Sequence, residues 1–143
     1  MIFLTKTFKE TQKIGKILGE IINSGAVIAL AGDLGAGKTT FVKGLAKGLG
    51  VKNTITSPTF LLIKKYAVRK ARSKIESFYH IDCYRLENEK KLQCLGIEEI
   101  IKDKRAITVI EWPEKIKNLL PKDAIKIKFE WAGENERKIS IVD

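Results

Sequence analysis

Apolar positions follow two different periods along this chain, and the switches between them outline its elements. Ile14, Ile17, Leu18, Ile21 and Ile22 fall at i, i+3, i+4, i+7 and i+8, which predicts an amphipathic helix with one stripe against a core. Thr7-Phe8-Lys9-Glu10 fits a capping box at its start, and Asn23-Ser24-Gly25 ends it. Gly25 to Ala31 then reads as a short buried strand, and Phe41, Val42, Leu45, Ala46 and Leu49 recur at helical spacing until Gly50. Phe60 to Val68 and Ser77 to Cys83 read as two strands. The short segment between them has no helical period, which leaves a hairpin as the simplest connection. Leu92 and Leu95, with a break at Gly96, suggest two short helices within 87–101 that cross back to the sheet. Ile107 to Glu111 is the next strand, and Pro113 suits the first turn of a short helix that Pro121 stops. Ile125, Ile127, Phe129 and Trp131 alternate with other residues, as do Ile139 and Ile141. That pattern predicts a terminal hairpin with one buried face. Ile2 to Thr5 fits an edge strand. Together these elements predict a three-layer α/β fold with a mostly parallel central sheet and added antiparallel hairpins.

Composition narrows the class. The chain has 143 residues, 44% hydrophobic and 31% charged, as expected for one globular domain over residues 1–143. The longest apolar run, Ala26 to Ala31, is far short of the roughly 20 residues needed to span a bilayer. The N-terminal hydrophobic stretch is too short for a signal peptide. Both features point to a cytoplasmic protein without a membrane span. Cys83 and Cys94 stand in no metal-ligand spacing and are expected as thiols. A net charge of +10 suits a polyanionic neighbour such as RNA or an acidic protein, and equally a lysine-rich genome.

Chemistry enters between the buried strand and the second helix. Gly32-Asp33-Leu34-Gly35-Ala36-Gly37-Lys38-Thr39 is a complete G-x-x-x-x-G-K-[ST] loop. It has the strand before it and the helix after it that a phosphate-loop NTPase fold requires. Glycines let successive backbone N–H groups turn toward phosphate oxygens, and the helix N-terminus adds its positive end. Gly35, Ala36, Gly37, Lys38, Thr39 and Thr40 are therefore the expected nucleotide-binding group, for a nucleoside triphosphate, with ATP as the expected one, and Mg2+. Lys38 would reach the β- and γ-phosphates, and Thr39 would place its hydroxyl on the magnesium ion. Such a site also needs a carboxylate at a neighbouring strand end and an acid or polar group to position water. Asp82 and Glu111 each end a largely apolar strand and are the candidates, as catalytic residues with Lys38 and as metal ligands with Thr39.

Other positions stay open between a functional and a plain structural reading. Thr11, in the first turn of the first helix, is solvated by pattern alone. Ser57-Pro58-Thr59 is either a nucleotide-sensitive loop or an ordinary connection. Arg69-Lys70-Ala71-Arg72-Ser73-Lys74, with Lys64 and Lys65, is either a solvated hairpin tip or a surface for an RNA backbone or a partner. His80 shares a strand face with Asp82 and is favoured as a hydrogen-bonded packing residue over a proton relay. Trp112 either shields the site or packs. Arg137 lies within reach of a phosphate or simply on an exposed hairpin.

These motifs occur in a recognisable order. Glu10-Thr11, Leu18-Gly19, the loop through Thr40, Ser57-Pro58-Thr59-Phe60, His80-Ile81-Asp82-Cys83-Tyr84-Arg85-Leu86, Leu95-Gly96 and Glu111-Trp112-Pro113-Glu114 together resemble the TsaE (YjeE) family. That resemblance implies a small bacterial ATPase, slow alone, that joins TsaB and TsaD in forming threonylcarbamoyladenosine in tRNA. It implies hydrolysis that drives turnover of the complex, with Thr39 and Glu111 on magnesium, Asp82 as a further essential acid and Thr11 near the nucleotide. Lys64-Lys65 departs from the family's usual Asn-Glu, so the hairpin's contacts are not carried over. The rival readings are a small-molecule kinase, which needs an arginine-bearing lid, and a non-catalytic nucleotide-gated module that docks RNA or protein.

Overall fold

The computed structural model describes residues 1–58 and 62–142. Thr59 and Phe60, the end of the Ser-Pro-Thr-Phe motif and the start of the predicted strand, lie outside the described residues. The elements run β1 (Ile2–Thr5), α1 (Phe8–Ile21), β2 (Ala26–Ala31), α2 (Lys38–Gly48), β3 (Ile63–Ala67), β4 (Ser77–Asp82), α3 (Lys90–Cys94), α4 (Ile97–Lys102) and β5 (Ala106–Glu111). A 3-10 helix (Pro113–Leu119), β6 (Ile125–Trp131) and β7 (Arg137–Val142) complete them. One seven-stranded sheet has the order β1-β7-β6-β2-β5-β4-β3. The four central strands β6, β2, β5 and β4 are mutually parallel. Antiparallel pairs β3–β4, β6–β7 and β7–β1 extend the sheet on both sides. This is the predicted three-layer α/β architecture, with β1 at the sheet edge.

Strand alternation sends side chains to two layers. Ile28, Leu30, Phe78, Ile107, Val109 and Phe129 pack beneath α1 and α2. Val27, Ile81, Ile110, Leu92, Ile97 and Ile116 form the core on the other face. The two short helices α3 and α4 flank Gly96 as expected. The helix after Glu111 is tighter than expected and breaks at Ile116 (φ −133°, ψ 39°).

Helix α1 corrects one expectation. Its packing line is not centred on the isoleucine stripe, because Ile17 is 47% and Ile21 69% exposed while Thr11, Gly15 and Gly19 are buried. A Cβ on Gly15 would overlap the carbonyl oxygen of Phe41, and one on Gly48 would overlap that of Lys16. The two helices therefore meet backbone to backbone through small residues, which rotates α1 away from its apolar maximum. The cap also differs from the standard box. The Thr7 hydroxyl accepts from Glu10 N–H at 3.2 Å, but the Glu10 carboxylate reaches Lys6 N–H at 2.6 Å, one residue before the cap.

Candidate functional site

The loop between β2 and α2 sits at the C-terminal edge of the parallel strands, where doubly wound sheets place their ligands. Gly37 precedes α2 with φ +104°, a left-handed conformation that a side chain would strain. No side chain among the described residues caps this helix start. The first-turn N–H groups of α2 consequently have no intrahelical partner, an arrangement suited to an anion. Ala36 is an exception within the expected group. Its side chain is fully buried in the core and its N–H bonds the Asp33 carbonyl at 3.1 Å.

Parallel pairing of β4 with β5 aligns Asp82 with Glu111, and pairing of β2 with β5 aligns Leu30 with Glu111. Both carboxylates thus end adjacent strands beside the loop. Backbone bonds fasten these ends: Cys83 N–H donates to the Glu111 carbonyl at 3.0 Å and Asp82 N–H to the Leu62 carbonyl at 3.1 Å. A cleft of about 230 Å³ gathers Lys38, Thr39, Thr40, Ser57, Asp82 and Glu111 with Tyr84 and Trp112. Of the sequence candidates, Lys38, Thr39, Asp82 and Glu111 are brought together here.

Lys38 is buried. It donates to the Gly32 carbonyl and lies 3.8 Å from the centre of the Trp112 ring. Trp112 holds a left-handed backbone (φ 59°, ψ 52°), which costs energy for a bulky residue and turns its ring over the lysine. Its other neighbour is Tyr84, at 5.0 Å between ring centres. Burial pushes the Lys38 ammonium below the ordinary lysine range, opposed by Glu111, Glu114, Asp82 and Asp33. Burial raises the Asp82 carboxyl, opposed by the Tyr84 N–H that donates to Oδ1 at 3.0 Å, while Glu111 raises it further. The Cys83 thiol, fully buried next door, is pushed up to about 12 by burial and is chemically quiet.

Glu111 is almost fully buried, and its Oε2 lies 2.6 Å from His80 Nε2. His80 is completely buried, as the favoured packing reading expected, and its Nδ1 has no hydrogen-bond partner among the described residues.

A second cleft of about 350 Å³ opens on the other side of the loop, lined by Lys6, Thr7, Phe8, Thr11, Asn135 and Arg137 with Gly35, Gly37 and Thr40. Thr11 is here, and not solvated. It is 1% exposed, with its hydroxyl 2.7 Å from that of Thr5. Trp131 is a further correction, because it is 52% exposed where alternation predicted burial. The Arg137 guanidinium stacks on its ring at 3.7 Å and donates to the Gly35 carbonyl at 3.2 Å. Sequence reading missed this half as a unit. The available signal was hairpin symmetry, since Trp131 and Arg137 face each other directly across the turn. In the basic hairpin, Lys64 donates to the Thr56 hydroxyl at 2.5 Å and Lys70 to the Glu20 carbonyl at 2.6 Å. Two of its charges are therefore engaged within the chain.

A strand, a glycine loop, an uncapped helix start and two strand-end carboxylates define a phosphate-loop α/β protein. The family described as "Threonylcarbamoyl adenosine biosynthesis protein TsaE" matches residues 5–139, and the chain belongs to that family. It is similar to the "tRNA threonylcarbamoyladenosine biosynthesis protein TsaE" of Bacillus subtilis, 39% identical over 92% of this chain and 78% of that one. The protein of the same name from Treponema pallidum is 35% identical over 96% and 97%. A crystal structure of Bacillus subtilis YdiB superposes with a TM-score of 0.79, at 33% identity over 99% of this chain and 83% of that one. No helix among the described residues is long and apolar enough to cross a membrane.

Proposed function

We propose that this chain binds ATP and hydrolyses it with Mg2+, as an accessory to threonylcarbamoyladenosine formation in tRNA, together with TsaB and TsaD. The observation that carries this reading is the convergence of Lys38, Thr39, Asp82 and Glu111 in one cleft at the helix start. The donor set fits magnesium. Two carboxylates and a hydroxyl are hard oxygen ligands, and no cluster of three or more His, Cys, Asp or Glu forms a metal cage among the described residues. That suits an ion held by one or two carboxylates, with waters and phosphates completing its shell. When bound, the ion would neutralise charge building on the phosphates.

The chain's own groups supply the rest. Lys38 exchanges the Gly32 carbonyl for phosphate oxygens, and the first-turn N–H groups of α2 hold the same anion. Asp82 and Glu111 orient water and the metal from neighbouring strand ends. Thr11 and Arg137 line the larger cleft and would flank the nucleoside there, with Trp131 beneath the arginine. No arginine among the described residues lines the cleft with Lys38 and the carboxylates, which argues against a kinase lid and favours slow hydrolysis completed by partners. The test is the ATPase rate of the chain alone and with TsaB and TsaD, with and without tRNA. Activation by the partners is expected. An equal rate in every mixture, or a phosphorylated acceptor in place of free phosphate, would overturn the reading.

A further inference from the structure

At the bottom of the cleft Glu111 makes a short contact with a buried side chain, His80, that the hydrolytic reading leaves without a job. On β4, alternation puts Phe78, His80 and Asp82 on the face that α2 covers. Phe78 packs in the core beneath α1 and α2 with Val109, the residue directly beside His80 on β5. Asp82 stands beside Glu111 at the strand ends. His80 is therefore one pleat deeper than the two carboxylates. Glu111 folds back to it across the strand pair, at 2.6 Å between Nε2 and Oε2. A carboxylate can only accept, so the imidazole proton in this bond is on Nε2. Nδ1 has no hydrogen-bond partner among the described residues.

We propose that His80 is a positioning residue for Glu111, resting on the magnesium-dependent ATPase reading of this site. Its Nε2–H holds Oε2, fixes the carboxylate plane and leaves Oε1 for the cleft that Glu111 lines. Without that bond a 4%-exposed carboxylate beside Lys38 has no fixed orientation. Its pull toward the ammonium then competes with its role at the metal. Outer hydrogen-bond partners of metal ligands characteristically set affinity in this way.

Two measurements test it. In wild type, 15N spectra of the imidazole should show a proton on Nε2, and Glu111→Gln should shift the Nε2 signal. A proton on Nδ1 alone would overturn the pairing whatever the chain hydrolyses. His80→Leu should raise the Mg2+ concentration for half-maximal hydrolysis by about 10- to 100-fold, with binding of a fluorescent ATP analogue in EDTA unchanged. His80→Gln, which restores an N–H donor of similar reach, should recover most of that loss. A merely structural role would lower the melting temperature without moving the magnesium midpoint. An unmoved midpoint in His80→Leu, or a folded His80→Gln as impaired as the leucine variant, sinks the proposal. Wild-type hydrolysis that ignores Mg2+ would instead remove the function it rests on, while the imidazole spectra still decide the pairing.

Discussion

The two clefts that share Gly35, Gly37 and Thr40 are built on opposite principles. On one side Lys38, at the start of α2, and His80 and Glu111, on paired strands whose ends are hydrogen-bonded to each other, are buried charged or titratable groups. On the other, Phe8 and Arg137 line the cleft from the open ends of a helix and a hairpin, with Trp131 beneath the arginine, and Phe8 is 68% exposed. The first arrangement is rigid because burying polar groups is tolerable only when their partners are fixed. The second gains little from burial and relies on stacking. The difference teaches that one loop can carry a preorganised reacting centre and an adaptable grip at once. Substitutions on the buried side should therefore act on the rate, and those on the open side on affinity.

The sharpest break between the sides is expected at Lys38. Lys38→Ala removes the only cation lining the smaller cleft among the described residues, and hydrolysis should fall by about a hundredfold or more. Phosphate release, followed alone and in the TsaB–TsaD mixture, measures it. tRNA modification in that mixture should fall with it, and modification that continues without ATP turnover would detach the cleft from the function. Glu111→Gln comes next. It keeps a hydrogen-bonding side chain beside His80 but loses a charge, and should reduce magnesium-dependent hydrolysis by about tenfold to a hundredfold with the fold intact by circular dichroism. Full activity would leave the metal to Asp82 alone and shift the reacting centre one strand outward.

How much of each side was legible from sequence follows the same division. The smaller cleft is spelled out in contiguous motifs, because a glycine loop and a lysine act through one stretch of backbone and Asp82 and Glu111 each close an apolar run. Parallel pairing then had only to bring two strand ends together. The larger cleft joins residues 6–11 to residues 135–137 through the pairing of Thr5 with Arg137, and local periodicity contains no record of so distant a contact. Thr11 looked solvated because its partner is the Thr5 hydroxyl of β1, a contact between two elements that helical periodicity does not record. Trp131 looked buried because alternation continues past the point where helices cover the sheet. The isoleucine stripe misplaced the α1 face because hydrophobic patterns do not register glycine, and Gly15 and Gly19 set the approach to α2. His80 was expected to be hydrogen-bonded, but its partner lies 31 residues away, beyond any spacing argument.

The smallest effect is expected at Arg137, and it tests the comparison most directly. Its guanidinium lies over the Trp131 ring, 3.7 Å from its centre, while donating to the Gly35 carbonyl, so it braces the loop and presents a surface at the mouth of the larger cleft. Stacking at so exposed a position contributes about 0.5–1 kcal/mol, equivalent to about two- to fivefold in affinity. Arg137→Ala should raise the KM for ATP by that factor and leave kcat unchanged, measured by steady-state phosphate release. Arg137→Lys should not restore it, because an ammonium lacks the planar face that covers the indole and the fork that reaches Gly35 at the same time. A drop in kcat comparable to the rise in KM would mean that the side chain swings from Trp131 onto the phosphates. Arg137 would then belong to the reacting centre, and the division between a buried side that sets rate and an open side that sets affinity would fail at the residue that joins them.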